Sequence, residues 1–379
     1  MSSTKTPSKL SAVVISDVHL GHPRTTTAEI IYGLNKAFTK RLLEFVDFVF
    51  IAGDLFDRDL AVPQTEVELI FDWWASFLRL CKSCNVKVRV LEGTPSHDYR
   101  QFRVFGRINH ESHIGADCVY YDDLAVERDQ SGITILYLPD EYSDTCAETE
   151  VKIRELLDRE SLEQVDLVIM HGQFKHQFPE KISAKLDCHD ADFFLSIARH
   201  FVFVGHVHEY SQYKRIVAQG SFDRLCHGSE NPKGMILTML DLANPAKSSC
   251  TFLENLNAKE FLTVKISERE SLEDAGDRLH DVATMLRSDA YLRVQAHEDH
   301  PIFGALSDFK KLYPSVNWSV KRESQAKDKP EPDNIPSLAE IRSRVSINPN
   351  NLRQLILKRL TDADDVTHIM EVLSHVGVA

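Results

Sequence analysis

No stretch of this 379-residue chain stays apolar for the roughly 20 residues that a membrane-spanning helix needs, so a helical membrane protein is excluded. The opening Met1 to Lys9 is short and polar and lacks the apolar centre of a signal peptide, which predicts a cytoplasmic protein with no membrane partner. Cysteine is scarce and unframed. Seven are scattered along the chain, and Cys81-Lys82-Ser83-Cys84 has no second pair to complete a zinc site, so free, buried thiols are expected. Positive charge is also in short supply. A net charge of -13 argues against broad, non-specific attraction to polyanions, although carboxylates that hold divalent cations would have part of that charge offset.

What is present is an ordinary soluble composition, 43% hydrophobic and 27% charged, in a chain long enough for two or three domains at roughly 150 residues each. Its organising stretch is Val13-Val14-Ile15-Ser16-Asp17-Val18-His19-Leu20-Gly21, an apolar β-branched run that ends in two metal-ligating side chains. Side chains two apart on a strand share a face, so Asp17 and His19 can reach one ion as strand gives way to loop. The construction returns four times. Phe48 to Ala52 leads to Gly53-Asp54, Val88 to Leu91 to Gly93 and His97-Asp98, Leu167 to Met170 to His171-Gly172, and Phe201 to Val204 to Gly205-His206-Val207-His208. Five strand ends are thus expected to deliver carboxylates and imidazoles to one edge of a sheet.

Between these strands, residues 27–45 and 66–84 have helical apolar spacing, and Trp73 and Trp74 in the second read as core. Strand and helix in alternation predict an α/β sheet with right-handed crossovers, which holds its ligands at the carboxyl ends of the strands. Shorter strands follow at 124–128, 133–138, 213–218, 235–242 and 251–256, with a helix at 147–159, giving a two-layered β core flanked by helices. A new unit then reads strand, helix, strand, helix, strand over residues 261–321. Beyond it a linker dense in Lys, Glu, Asp and Pro (323–336) precedes short amphipathic helices in 337–379, which are expected to dock on a partner.

The ligand inventory sets the chemistry. Asp17, His19, Asp54, His171, His206 and His208 offer two carboxylates and four imidazoles, which suit manganese, iron, zinc or nickel better than calcium or magnesium. Six ligands exceed one tetrahedral ion but suit two ions about 3.5 to 4 Å apart sharing a carboxylate, with Asp54 as the bridge. Such a pair clamps a phosphate ester and lowers the pKa of a water towards about 7. Arg58 could pair with a substrate phosphate or with a surface carboxylate.

In this order, Asp-x-His, Gly-Asp-x-x-Asp, the turn from Gly93 to His97-Asp98, His-Gly and Gly-His-x-His resemble the calcineurin-like metallophosphoesterase superfamily, over about the first two thirds of the chain. The resemblance implies a four-layered α/β-β/α sandwich with a dinuclear centre. Asp17, His19, Asp54 and His208 would hold one ion, and Asp54, His171 and His206 the other. His97 would protonate the leaving oxygen or steady the transition state, and the Asp57 carboxylate would orient it. The third motif departs from the family's Gly-Asn-His: Gly93-Thr94-Pro95-Ser96-His97 puts Ser96 at the amide ligand's place with two extra residues before it, which implies either a weakly held second ion or a water as its ligand.

Within the superfamily the chain most resembles the SbcD-type nuclease subunit of the double-strand-break repair complex. Gly205-His206-Val207-His208-Glu209-Tyr210, then Gln219-Gly220-Ser221-Phe222-Asp223-Arg224 and Lys233-Gly234, look like that family's return strand and Gly-Ser-x-x-Arg turn. The implied organisation is a nuclease domain (1–258), a small α+β capping and DNA-binding domain (259–322), the linker, and C-terminal helices that grip an SMC-like coiled-coil ATPase of the SbcC type. The implied activity is manganese-dependent DNA exo- or endonuclease action in repair or recombination, with two divalent ions as cofactors and a homodimer left open. The alternatives are another phosphoesterase, acting on phosphoprotein, nucleotide or pyrophosphate, and a non-catalytic adaptor with a degraded metal site.

Overall fold

A computed structural model of the chain describes residues 8–61 and 65–324. In chain order its strands are β1 Lys9–Ile15, β2 Phe48–Ala52, β3 Lys87–Leu91, β4 Cys118–Tyr121, β5 Ala125–Arg128, β6 Thr134–Leu138, β7 Val165–His171, β8 Ala198–Gly205, β9 Ser211–Tyr213, β10 Ile216–Ala218, β11 Gly234–Asp241, β12 Ser249–Glu254, β13 Phe261–Lys265, β14 Tyr291–His297 and β15 Asn317–Glu323. They form two six-stranded sheets, ordered β12-β11-β1-β2-β3-β4 and β5-β6-β7-β8-β10-β9, and a three-stranded sheet, β13-β14-β15. In the first sheet β1 to β4 run parallel, with β11 and β12 added antiparallel. In the second β6, β7, β8 and β10 run parallel, with antiparallel β5 and β9 at the edges.

The two large sheets pack face to face because each central strand is apolar on both sides. Val14, Phe48 and Phe50 of the first sheet meet Ile135, Tyr137, Ile169 and Phe203 of the second. The alternate residues face outward: Val13, Ile15, Val49 and Ile51 take Ile30, Leu34, Ile70, Trp74 and Phe77 from helices Thr27–Ala37 and Thr65–Ser83. On the far side Val168, Met170, Val202 and Val204 take Ile153, Leu157, Phe194 and Ile197. Helix, sheet, sheet and helix make the four layers expected, and burial on both faces is why these strands read as unbroken apolar runs. Each such side chain contributes roughly 1.5–3 kcal/mol by leaving water.

One expectation needs correcting. The five ligand-bearing strand ends lie not on one sheet edge but on two, β1, β2 and β3 in the first sheet and β7 and β8 in the second. A strand buried on both faces has the same local sequence in either sheet, so only the pairing tells them apart. Two smaller differences have local causes. The helix read over 27–45 breaks at Phe38, because the Thr39 side chain accepts from Leu42 N at 3.3 Å and caps a new turn, Lys40–Leu43. The strand read over 213–218 is the hairpin of β9 and β10, which turns at Lys214 with φ 53°.

The third sheet carries its own core. Val264, Leu292, Val294 and Ala296 pack under Leu279 and Leu306 of helices Leu272–Met285 and Ile302–Leu312. The described residues pack as one compact unit that ends at Ser324. The segment read as a linker begins at Glu323, the last residue of β15; from residue 325 onward, and so for all of 337–379, it lies outside the described residues. Among the described residues no helix is long and apolar enough to cross a membrane. The seven cysteines are free, though only Cys81 is buried.

Candidate metal centre

The regular strand β1 stops at Ile15, so strand alternation is not what places Asp17 and His19. A laced pair of loops does it. Asp17 N donates to Gly53 O (3.1 Å), Val18 N and His19 N to Asp54 O (2.8 and 3.1 Å), and Leu20 N to Leu55 O (2.9 Å). The lacing holds Asp17, His19 and Asp54 at φ 49°, 54° and 50°, a left-handed backbone that costs a non-glycine residue roughly 1–2 kcal/mol. Two glycines let the loops at the strand ends approach each other closely. A Cβ on Gly53 (φ +85°) would lie 2.2 Å from His171 Nδ1, and one on Gly93 would lie 2.1 Å from Asp54 N.

The side chains gather into two joined groups. In the first, donor atoms of Asp17, His19 and His208 lie within 4.8 Å of one another, with His19 Nε2 3.1 Å from His208 Nε2 and Asp17 Oδ1 3.6 Å from His208 Nε2. In the second, Asp140, His171 and His206 lie within the same span, with His206 Nδ1 3.4 Å from Asp140 Oδ2. Asp54 joins them. Its Oδ2 lies 3.9 Å from His19 Nε2 and 3.3 Å from His171 Nε2. His171 Nδ1 donates to Ala52 O at 2.8 Å, which leaves Nε2 as the atom facing Asp54. Both Asp17 oxygens accept from His206 N, at 3.0 and 3.2 Å.

The electrostatics suit cations. Burial alone would lower the pKa of His171, but Asp54, Asp17 and Asp140 reverse that and hold it well above the ordinary value. His19 follows the same pattern through Asp57, Asp54 and Asp17. Burial would raise Asp54 and Asp140, yet the histidines beside each hold both carboxyls low. At His208 burial wins and pushes the pKa down to about 4. Two imidazole nitrogens 3.1 Å apart, ringed by carboxylate oxygens and almost without thiol, are a donor set for borderline divalent metals.

The structure brings together Asp17, His19, Asp54, His171, His206 and His208, six of the seven residues read as ligands. Ser96 is the exception. It is exposed, on the one-turn helix Pro95–Asp98, and belongs to none of the groups. Pro95 starts that turn, so counting back from His97 lands on the helix, while the residue before the proline stays in the site. That residue is Thr94. Its Oγ1 lies 3.2 Å from Asp54 Oδ2, 3.3 Å from Asp140 Oδ2, 3.4 Å from His171 Nε2 and 3.5 Å from His206 Nδ1.

His97 stands at the rim with its ring edge-on to His19, centroids 4.9 Å apart. Its Nδ1 donates to the Asp57 carbonyl at 3.0 Å, so it is the Asp57 backbone that orients it. The Asp57 carboxylate, read as the orienting group, lies instead 3.2 Å from His19 Nδ1. Arg58 is held by the Gly21 carbonyl (3.0 Å) and by Glu66 (2.7 Å), a structural role. Asp98 is buried and accepts from three backbone amides, Asp54 N, Phe56 N and Gly93 N, tying together the loops after β2 and β3. Two side chains that no motif singles out also stand in the cluster, Asp140 and Thr94. Asp140 follows Ile135-Leu136-Tyr137-Leu138-Pro139, the same apolar run ending in a carboxylate but without a glycine to mark it.

A family model described as "Calcineurin-like phosphoesterase" matches residues 10–210. No curated protein matches the chain. Among solved structures, TT1561 of Thermus thermophilus is similar at TM-score 0.41 and 11% identity, over 64% of this chain and 98% of that one. A second solved structure is similar at TM-score 0.38 and 13% identity, over 65% of this chain and 100% of the other.

Proposed function

The chain belongs to the calcineurin-like phosphoesterase family, metal-dependent hydrolases of phosphoesters, and on that premise we propose that its substrate is DNA, cut as an exo- or endonuclease with manganese as the favoured ion. Asp17, His19, Asp54 and His208 would hold one ion, and Asp54, His171 and His206 the second. Ions so held supply charge that offsets the phosphate and lower the pKa of water towards about 7. The remaining chemistry belongs to the chain. His97 has Nδ1 committed to the Asp57 carbonyl, which leaves Nε2 to pass a proton to the leaving oxygen.

The observation that favours a polymer over a small ester is the helix-free face of the third sheet. Its register sets Thr263, Arg293 and Ser319 side by side, then Lys265, Gln295 and Lys321, on the face away from the packed Leu292, Val294 and Ala296. Arg293 and Ser319 of this face, with Arg24, His227 and Tyr291, line a cleft of about 450 Å³. Among the described residues none of Arg24, Arg293, Lys265 and Lys321 forms an ion pair, and such cations fit a polyanion with successive phosphates. The Gly-Ser-x-x-Arg turn ties this unit to the site. Phe222 N donates to Asp17 O, and the Arg224 guanidinium bonds the carbonyls of Glu230, Asn231 and Lys259. Residues 259–322 thus serve, in this reading, as the capping and DNA-binding domain.

The non-catalytic alternative turns on Ser96; what speaks for catalysis instead is that Asp140 in the second group and Thr94 beside it offer further oxygen donors. The decisive assay compares hydrolysis of DNA, p-nitrophenyl esters and cyclic nucleotides with manganese and with excess chelator. DNA should be the best substrate and chelator should abolish its cleavage; preference for the small esters, or cleavage in chelator, would overturn the reading. The coiled-coil ATPase partner belongs to the same proposal. Deleting residues 337–379 should abolish co-purification with it, and retention at unchanged affinity would refute that part.

A further inference from the structure

We infer that Asp140 and Thr94 are ligands of the second ion, completing a site that the sequence motif leaves short of a donor. The inference rests on the two-ion reading above and deepens it. Asp140 points one oxygen each way: Oδ1 accepts from Glu141 N at 2.9 Å, while Oδ2 faces His206 Nδ1 (3.4 Å) and Thr94 Oγ1 (3.3 Å). The Thr94 hydroxyl is within 3.2 to 3.5 Å of one donor atom from each of Asp54, Asp140, His171 and His206. Ligands sharing an ion at about 2.1 Å stand roughly 3 Å apart, so these spacings are those of a common coordination shell. Thr94 N also donates to Asp54 Oδ1 at 2.6 Å, which fixes the hydroxyl's backbone to the shared carboxylate.

The consequence is a balance of charge. The first site has Asp17, Asp54, His19 and His208; the second has Asp54, Asp140, His171 and His206, with Thr94 added. Each then has two carboxylates and two imidazoles, one carboxylate being common to both. The second ion is held as firmly as the first, where a serine in place of an amide would have left it weak. If Asp140 merely accepted a hydrogen bond from His206, its loss would weaken the ion without removing it, typically by 10- to 100-fold.

The test is calorimetric titration of the metal-free full-length chain with manganese chloride, read together with the manganese electron paramagnetic resonance spectrum. The unaltered protein should bind two ions with affinities within about tenfold of each other and show the exchange coupling of ions that share a carboxylate. Asp140→Ala should bind one ion and show the six-line spectrum of isolated manganese, and Asp140→Asn should lose more than about 100-fold at the second site. Thr94→Val should weaken that site about tenfold with Thr94→Ser restoring it, as expected of a neutral oxygen ligand. Two coupled ions in Asp140→Ala, or in Asp140→Asn an affinity within 100-fold of the unaltered second site, would overturn the assignment of Asp140. Equal affinities in Thr94→Val and the unaltered protein would overturn that of Thr94. An unaltered protein that binds no manganese would instead overturn the two-ion reading itself.

Discussion

His97→Ala isolates the proton-transfer step from metal binding. The imidazole is half-buried at the rim, and its Nδ1 is spent on the Asp57 carbonyl at 3.0 Å, so one nitrogen is available for chemistry. A positioned acid contributes typically 10²- to 10⁴-fold, and each tenfold is 1.36 kcal/mol, so the loss in kcat should correspond to about 3–5 kcal/mol. The loss should depend on the leaving group. A DNA phosphodiester expels a poor alkoxide and should show the full effect, while a p-nitrophenyl ester, whose phenolate leaves unaided, should show little. Single-turnover rates on both substrates, with manganese content measured on the same samples, make the comparison. His97 also belongs to a group with His19 and Asp54 whose donors lie within 4.8 Å. If the variant loses an ion, or if both substrates slow equally, His97 acts as a ligand and the reasoning fails.

Two further predictions concern stability. Asp98→Ala removes the acceptor of three buried amides, at roughly 1–3 kcal/mol for each left unmade, so urea denaturation should show a loss of at least about 3 kcal/mol; a loss below about 1 kcal/mol would mean the loops do not depend on it. At Asp223, buried in the turn after β10, burial lifts the carboxyl pKa from 3.8 to about 6 against the amides of Lys259 and Arg224 that both bond its Oδ1. A carboxyl raised in the folded state favours folding below its ordinary range and loses that contribution as pH rises through about 6. Asp223→Asn keeps an oxygen for both amides and carries no charge. It should therefore match the unaltered protein below pH 4 and exceed it by about 3 kcal/mol above pH 7; a difference independent of pH would refute the shift.

The sequence by itself determined the layers and most of the Asp and His side chains that cluster at the strand ends. Strands such as Phe48–Ala52 and Val165–His171 are buried at every position, a pattern that survives only between two covered faces, and the clustered Asp and His side chains stand where those runs stop. The aromatic stripe of helix Thr65–Ser83 was core for the same reason. Tertiary structure decided which of these side chains meet and which others stand among them. Periodicity is a property of one segment and carries no address for its partner, so nothing local says that β1 and β7 belong to different sheets. Ser96 and Thr94 are two residues apart in a loop where no period applies, and a single proline-started turn put one in water and the other among the side chains of Asp54, Asp140, His171 and His206. Asp140 joined them because β6 lies beside β7, a contact set by backbone pairing between strands about thirty residues apart.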